Sequence, residues 1–323
     1  MSHKSNVPDD TAVPVDGMSQ AEAHKTKKAA AKAELHAAKL MAPEKIVVDN
    51  PPPEPNYPRY RVEPGKRISL AAFDPDASEY YKKKKHVEEE LEKQRNRIRN
   101  LQERLYAENR RSLLIVLQAM DTGGKDGTIK HVFGGINPQG CQVWSFKKPS
   151  DEELSHDFLW RYHHRAPQRG MITIFNRSHY EDVLIVRVKN LVPEEVWRER
   201  YHVINEFEQM LTLSNITVIK FFLHISKDEQ KRRLESRLEN PDKQWKFSSN
   251  DIKERYLWDD YHIAFEEAIN NCSTRYAPWY VVPANKKWYR NLVIARTIAD
   301  TLEAMNPQYP AAEKGLENIV IPD

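Results

Sequence analysis

Five short apolar runs, each bounded by turn residues, divide the middle of the chain: 112–119, 142–146, 171–175, 217–224 and 279–282. Stretches of helical period separate them, and that alternation predicts an α/β fold with a parallel sheet covered by helices on both faces. Ahead of the first run, residues 80–109 are long, highly charged and helical in period, with Val87, Leu91, Ile98, Leu101 and Leu105 on one stripe. Residues 292–305 predict a closing amphipathic helix, and the proline-bearing tail from Asn306 reads as a loose strap.

The N-terminal end has a different pattern. Residues 1–18 are polar with few apolar anchors, which predicts disorder. Residues 20–41 are rich in alanine, lysine and glutamate, a helical composition with little large apolar surface. That suits a peripheral helix, or one that orders against a partner. "NPPPEPNYPRY", residues 50–60, then stops any helix and reads as a stiff extended linker. The expected organisation is an extension and linker over 1–55, one compact domain over 56–305, and a tail over 306–323.

Charge changes this picture little. The 323 residues carry a net +3 with 30% charged side chains, so no global field marks a nucleic-acid wrapper, and any anionic partner must be held by local clusters. Cys141 and Cys272 are the only cysteines, too few for a disulfide framework or a thiolate zinc site. The N-terminus lacks an apolar signal core, and no apolar run approaches the ~20 residues of a membrane span. A cytoplasmic protein with no membrane and no nucleic-acid partner is expected.

Chemistry enters at "QAMDTGGKDGTIKHVFGG", residues 118–135. A glycine-rich turn between a strand and a helix aims backbone N–H groups at an anion, helped by the helix dipole. Gly123, Gly124, Gly127 and Thr128 belong to this turn, and Lys125 adds a mobile positive charge. Against the standard G-x-x-x-x-G-K-[ST] loop, Ala119 replaces the first glycine and Asp126 the metal-binding hydroxyl. The plain alternative is a tight turn that uses glycine for left-handed backbone and aspartate as a helix cap. Asp121 weighs against it. A carboxylate facing phosphates is repulsive unless a cation stands between them, and magnesium is bound by one or two carboxylates with phosphate oxygens and water. Asp126 is free to cap the helix instead.

Two further clusters bear on the loop. "ITIFNRSHYEDV", residues 172–183, puts Asn176 and Arg177 at the C-terminal end of a strand, the edge where open α/β sheets bind ligands. Arg177 is placed to reach a phosphate there, or else to pair with Glu181 or Asp182. "KDEQKRRLESRLENPDKQWKF", residues 227–247, is basic. At helical spacings Arg233 meets Glu229 and Arg232 meets Glu235, whereas Arg237 meets no carboxylate. An arginine without a partner suits an anion, and a basic helical lid suits phosphoryl transfer. A solvated charged face is the bland alternative.

Together these segments resemble polyphosphate kinase family 2, within the P-loop kinases related to thymidylate kinase. "DTGGKDGTIKHVFGGINPQGC", "FNRSHYEDVLIVRV", "FFLHISKDEQKRRLESRLENPDKQWKFSSND" and "WYVVPANKKWYRNLVIARTIADTL" are similar to family blocks, in family order, over roughly residues 60–305. The GKDG form of the loop resembles the class III branch, which phosphorylates both nucleoside monophosphates and diphosphates. The resemblance implies a three-layer P-loop kinase fold with a lid near 227–255 and reversible transfer of a terminal phosphoryl from inorganic polyphosphate to AMP or ADP. It also implies Mg²⁺, with Mn²⁺ able to substitute, and a homotetramer. By position Asp121 matches the metal-binding catalytic aspartate, Lys125 the loop lysine, Arg177 the arginine of the asparagine-arginine-serine motif, and Arg237 the lid arginine. Asn176 stands where some relatives carry aspartate, which puts a second carboxylate ligand there in doubt. Lys147, Lys148, Arg169, Arg187, Arg233 and Lys246 are further candidates for contacts along the two phosphate chains. An ATP-dependent kinase of a small acceptor and a non-enzymatic polyanion binder are the competing classes.

Overall fold

A computed structural model describes residues 60–78, 81 and 84–322. The expected helix over 20–41 and nearly all of the proline-rich linker lie outside the described residues.

Five parallel strands form one sheet in the order β2-β3-β1-β4-β5, with β1 Ser112–Gln118, β2 Cys141–Ser145, β3 Ile172–Asn176, β4 Ile216–His224 and β5 Trp279–Pro283. All five expected strands are present within a residue or two. Strand β1 (SLLIVLQ) is buried throughout because it is central, paired with β3 on one side and β4 on the other. A strand covered on both faces must be apolar along its whole length. Edge strand β2 (CQVWS) has no fully buried residue.

Helices of eight residues or more are α1 Lys85–Glu108, α2 Lys125–Val132, α3 Glu194–Leu213, α4 Lys227–Glu239, α5 Ser249–Tyr256, α6 Trp258–Cys272 and α7 Lys287–Met305. Helix α7 packs against both α1 and α2, and α3 packs against α6 and β4, which makes the helical layers of the sandwich. The stripe read in α1 is its core face, with Val87, Ile98 and Leu105 buried. Helix α7 is buried over most of its circumference, as its sequence WYRNLVIARTIA requires. The opposite sheet edge is closed by the segment before α1. Tyr60 and Val62 exchange backbone bonds with β5 (Val62 N–H to Trp279 O, 2.9 Å; Val281 N–H to Tyr60 O, 2.9 Å).

Behind the sheet lies a buried ionic cluster. Lys220 on β4 and Glu208 on α3 are fully buried and ion-paired, and the Lys220 ammonium also donates to the Tyr180 hydroxyl at 2.8 Å and the Cys272 carbonyl at 2.7 Å. His179 Nε2 lies 3.0 Å from Glu208 Oε1. Burial alone would raise the Glu208 carboxyl, but Lys220 and then His179 hold it below its ordinary value. This cluster anchors residues 179 and 180, immediately after the Asn176–Arg177 pair.

Candidate active site

Chain order makes the site. The connection from β1 runs towards β2, and that from β3 runs to β4 on the other side of β1, so a crevice opens beyond the C-terminal ends of β1 and β3. Residues 119–124 leave β1 and turn into α2, whose N-cap is Gly124. Gly124 has φ 101°, and a Cβ there would stand 2.0 Å from Arg290 Nη1. At Gly123 a Cβ would meet the Cβ of Ala119 at 2.5 Å. Ala119 is thus tolerated in place of the first loop glycine because Gly123 leaves room for its methyl.

The carboxylates are sorted by their neighbours. Asp121 Oδ1 accepts from Arg177 Nη2 at 3.0 Å, and Glu181 lies 4.0 Å from the same guanidinium. Arg177 sits in left-handed backbone (φ 63°) and donates its N–H to Leu117 O, which locks it beside the loop. Asp126 Oδ1 accepts from Asn176 Nδ2 at 2.8 Å. Asp126 therefore ties α2 to β3 and is not the helix cap; the cap is glycine. Lys125 Nζ donates to Ala119 O at 3.1 Å. Burial, and next the charge of Arg177, push its ammonium below the usual lysine value, against the pull of Asp121, Glu181 and Asp126.

Two cavities meet over the loop. The front one, about 610 Å³, is walled by loop residues 121–127 with Asn176, Arg177, Lys147, Lys148, Arg237, Trp245 and Lys246. The rear one, about 860 Å³, shares Thr122, Gly124, Gly127, Arg237 and Lys246 and adds Arg95, His131, Lys243, Lys287 and Arg290. Basic side chains dominate its wall. Thr128 is buried, its hydroxyl donating to Gly124 O at 3.2 Å, so it braces the loop from within.

Several sequence expectations are corrected. Arg237 has a carboxylate after all: Asp251 of α5 lies 3.4 Å away, out of reach of any helical spacing within α4. Arg232 pairs with Glu229 at 2.7 Å rather than with Glu235, which faces Lys231. Arg233 is buried and spans the back of the loop, donating to Thr122 O and Gly123 O at 3.0 Å each and to Ala284 O and Asn285 O, so it shapes the cradle from behind. Arg187 is turned away, paired with Glu267 at 2.5 Å and stacked on Trp197. Arg169 is exposed just before β3 begins, at the N-terminal end of that strand and so at the opposite end of the sheet from the loop. The structure brings Asp121, Gly123, Gly124, Lys125, Asp126, Gly127, Lys147, Lys148, Asn176, Arg177, Arg237 and Lys246 together around one cavity.

Sequence reasoning missed Arg290. It is almost fully buried, reaches Gly123 O at 3.4 Å, and otherwise holds the Asn291 amide oxygen at 2.8 and 3.1 Å. Burial first and the Arg233 charge second push it down to about 9. A guanidinium stays charged at neutral pH, and this one lines the rear cavity. An arginine inside the apolar helix sequence WYRNLVIA was the available signal.

The residues present suit magnesium. That ion takes one or two carboxylates and completes its shell with phosphate oxygens and water, so a protein-only cage is not required. No group of three acidic, histidine or cysteine side chains arranged to hold a metal occurs among the described residues. Asp121 and Asp126 both line the front cavity, and each accepts through Oδ1, Asp121 from Arg177 and Asp126 from Asn176.

Comparison with known proteins agrees with this geometry. The family model described as Polyphosphate kinase 2 (PPK2) matches residues 81–310. A protein of Meiothermus ruber named AMP/ADP-polyphosphate phosphotransferase is 54% identical over 264 residues, covering 81% of this chain and 99% of its own. An ADP-polyphosphate phosphotransferase of Rhodopseudomonas palustris is 45% identical, covering 78% of this chain and 91% of its own. The crystal structure of Polyphosphate Kinase 2 from Arthrobacter aurescens superposes with a TM-score of 0.76 at 43% identity, over 80% of this chain and 96% of that one. A glycine-rich loop with its own carboxylate, a basic helical segment beside it and these matches lead to one assignment: the chain belongs to the polyphosphate kinase 2 family.

Proposed function

We propose that this protein is a cytoplasmic phosphotransferase that moves the terminal phosphoryl group of inorganic polyphosphate to AMP and to ADP, reversibly. The observation that carries the reading is the pair of basic cavities meeting over one phosphate loop. A polyanionic donor needs a long basic wall, which the rear cavity offers. The acceptor phosphate needs only the front one. A homotetramer with Mg²⁺, or Mn²⁺ in its place, completes the proposal.

In the forward step an oxygen of the AMP phosphate attacks the terminal phosphorus of the donor. One new P–O bond forms, the bridging anhydride bond breaks, and its electron pair leaves on the shortened polyphosphate. The nucleophile is already an anion, so no strong general base is required, and catalysis rests on positioning and charge stabilisation. The loop N–H groups and Lys125 hold the transferring phosphoryl. Arg177 and Arg237 neutralise charge on its oxygens, while Arg233 and Arg290 keep the loop in shape from behind. Asp121 would hold the divalent ion, which when bound screens the repulsion between donor and acceptor phosphates.

The test is incubation with AMP and long-chain polyphosphate in the absence of ATP. Formation of ADP and then ATP is expected. Phosphorylation that appears only when ATP is supplied would overturn the choice of donor.

A further inference from the structure

Solvent reaches four large apolar side chains in the lid: Leu238, Trp245, Ile252 and Tyr256. Of these, Trp245 is the one that lines the front cavity, in a wall whose other aromatic, Phe146, is buried and whose remaining members are the loop, lysines, arginines and polar or acidic groups. It is 78% exposed. Its indole is in contact with the Lys246 ammonium, 4.9 Å from the ring, while the lid backbone around it is fixed by turn bonds such as Lys246 N–H to Lys243 O. Holding phosphate gives no reason for an indole. Phosphates are gripped by N–H donors and cations, and a large apolar ring left in water serves neither purpose.

A nucleotide gives the reason. Its phosphate is held at the loop, so its ribose and base project away from the loop towards the rim of the cavity. There Trp245 joins Lys147, Lys148 and Lys246 in the wall. Bases stack well on indole, and stacking reads the π-face of a base rather than its edges. We infer that Trp245 is the platform on which the acceptor's nucleobase stacks, which makes it a substrate-positioning residue that tolerates different bases. This rests on the reading that the acceptor is a nucleotide. The narrower pocket beside it sets Asp121, Glu181, Asp251 and Glu254 against Leu184, Ile185, Tyr261 and Phe265, and at about 140 Å³, against about 610 Å³ for the front cavity, it leaves a base less room.

The experiment compares wild type, Trp245→Phe and Trp245→Ala in the polyphosphate-driven reaction. Because the side chain is exposed, all three should melt alike. The KM for AMP and ADP should rise about tenfold in Trp245→Ala and stay within about threefold in Trp245→Phe, while the KM for polyphosphate moves less than about twofold in either. Ribose 5-phosphate, an acceptor analogue without a base, should inhibit wild type and Trp245→Ala equally. Among acceptors, purine monophosphates should be used better than pyrimidine ones, and that ranking should flatten in Trp245→Ala. An unchanged KM for AMP in an active Trp245→Ala, or an equal rise for polyphosphate, overturns the platform. A wild type that makes no ADP or ATP from AMP and polyphosphate overturns the reaction itself, and the platform with it.

Discussion

Two assemblies of charge flank the residues that follow β3, and they differ in completeness. At Lys220 every charge is answered inside the protein, by Glu208, a tyrosine hydroxyl, a histidine and a backbone carbonyl. At the phosphate loop Arg290 has amide and carbonyl oxygens but no carboxylate among the described residues, and Lys147, Lys148 and Lys287 face the cavities. The contrast separates structure from function. A buried charge cluster that is complete holds the fold, whereas one short of anions marks where an anionic ligand goes.

The largest effect should come from opening the complete cluster. Lys220→Met leaves the Glu208 carboxylate buried without its cation and should destabilise the fold by about 3–5 kcal/mol, read by urea unfolding. Adding Glu208→Leu should recover much of the loss. A neutral single variant would show that the cluster does not anchor the segment after β3.

At the incomplete assembly, Asp121→Asn should lower turnover by about a hundredfold or more. The exchange is nearly isosteric and the Asp121–Arg177 pair is partly exposed, so the melting temperature should barely move. Near-normal rates across a magnesium titration would remove the metal-ligand role.

A smaller difference should separate the two lid arginines. Arg237→Lys keeps the charge but loses the planar fork, so kcat should fall about tenfold, while Arg232→Lys, exposed and paired with Glu229, should change it less than about twofold. Equal losses would mean that the lid acts as a diffuse field.

Salt and pH should bring the mildest changes. The KM for long polyphosphate should climb more steeply with monovalent salt than the KM for AMP, because a polyanion releases more counterions on binding. Parallel, shallow curves would argue against a basic donor channel. Because the Lys125 ammonium sits below its ordinary value, it loses its proton earlier as pH rises, and the affinity for phosphate falls with it. Lys125→Arg should bind more weakly overall but with a flatter alkaline limb. A wild-type limb as flat as that of the variant would remove Lys125 from phosphate binding.

The strands were legible because their apolar runs are short, separated and bounded by turns, and the loop was legible because backbone geometry demands glycine at 123 and 124. What escaped depends on contacts between elements. Asp251 reaches Arg237 from another helix, Glu267 of α6 claims Arg187, and Arg233 turns inward to four carbonyls, none of which helical spacing can reveal. Lys220 left a local mark that went unread: a lysine inside the apolar run ITVIKFFLH requires a buried partner.

The bonds between Tyr60–Val62 and β5 bear on where this enzyme can be cut. The family match begins at residue 81, yet structural work is done upstream of it. Tyr60 and Val62 occupy the free edge of β5, the Ser273 hydroxyl donates to Val62 O at 2.7 Å, and Leu70 N–H is held by Glu266 at 2.7 Å. A fragment trimmed to the family boundary would keep every residue of the phosphate loop and lid. It would also expose the backbone groups of a sheet edge ready to pair with any other chain. For expression or crystallisation, a cut after Tyr60 therefore carries a structural cost.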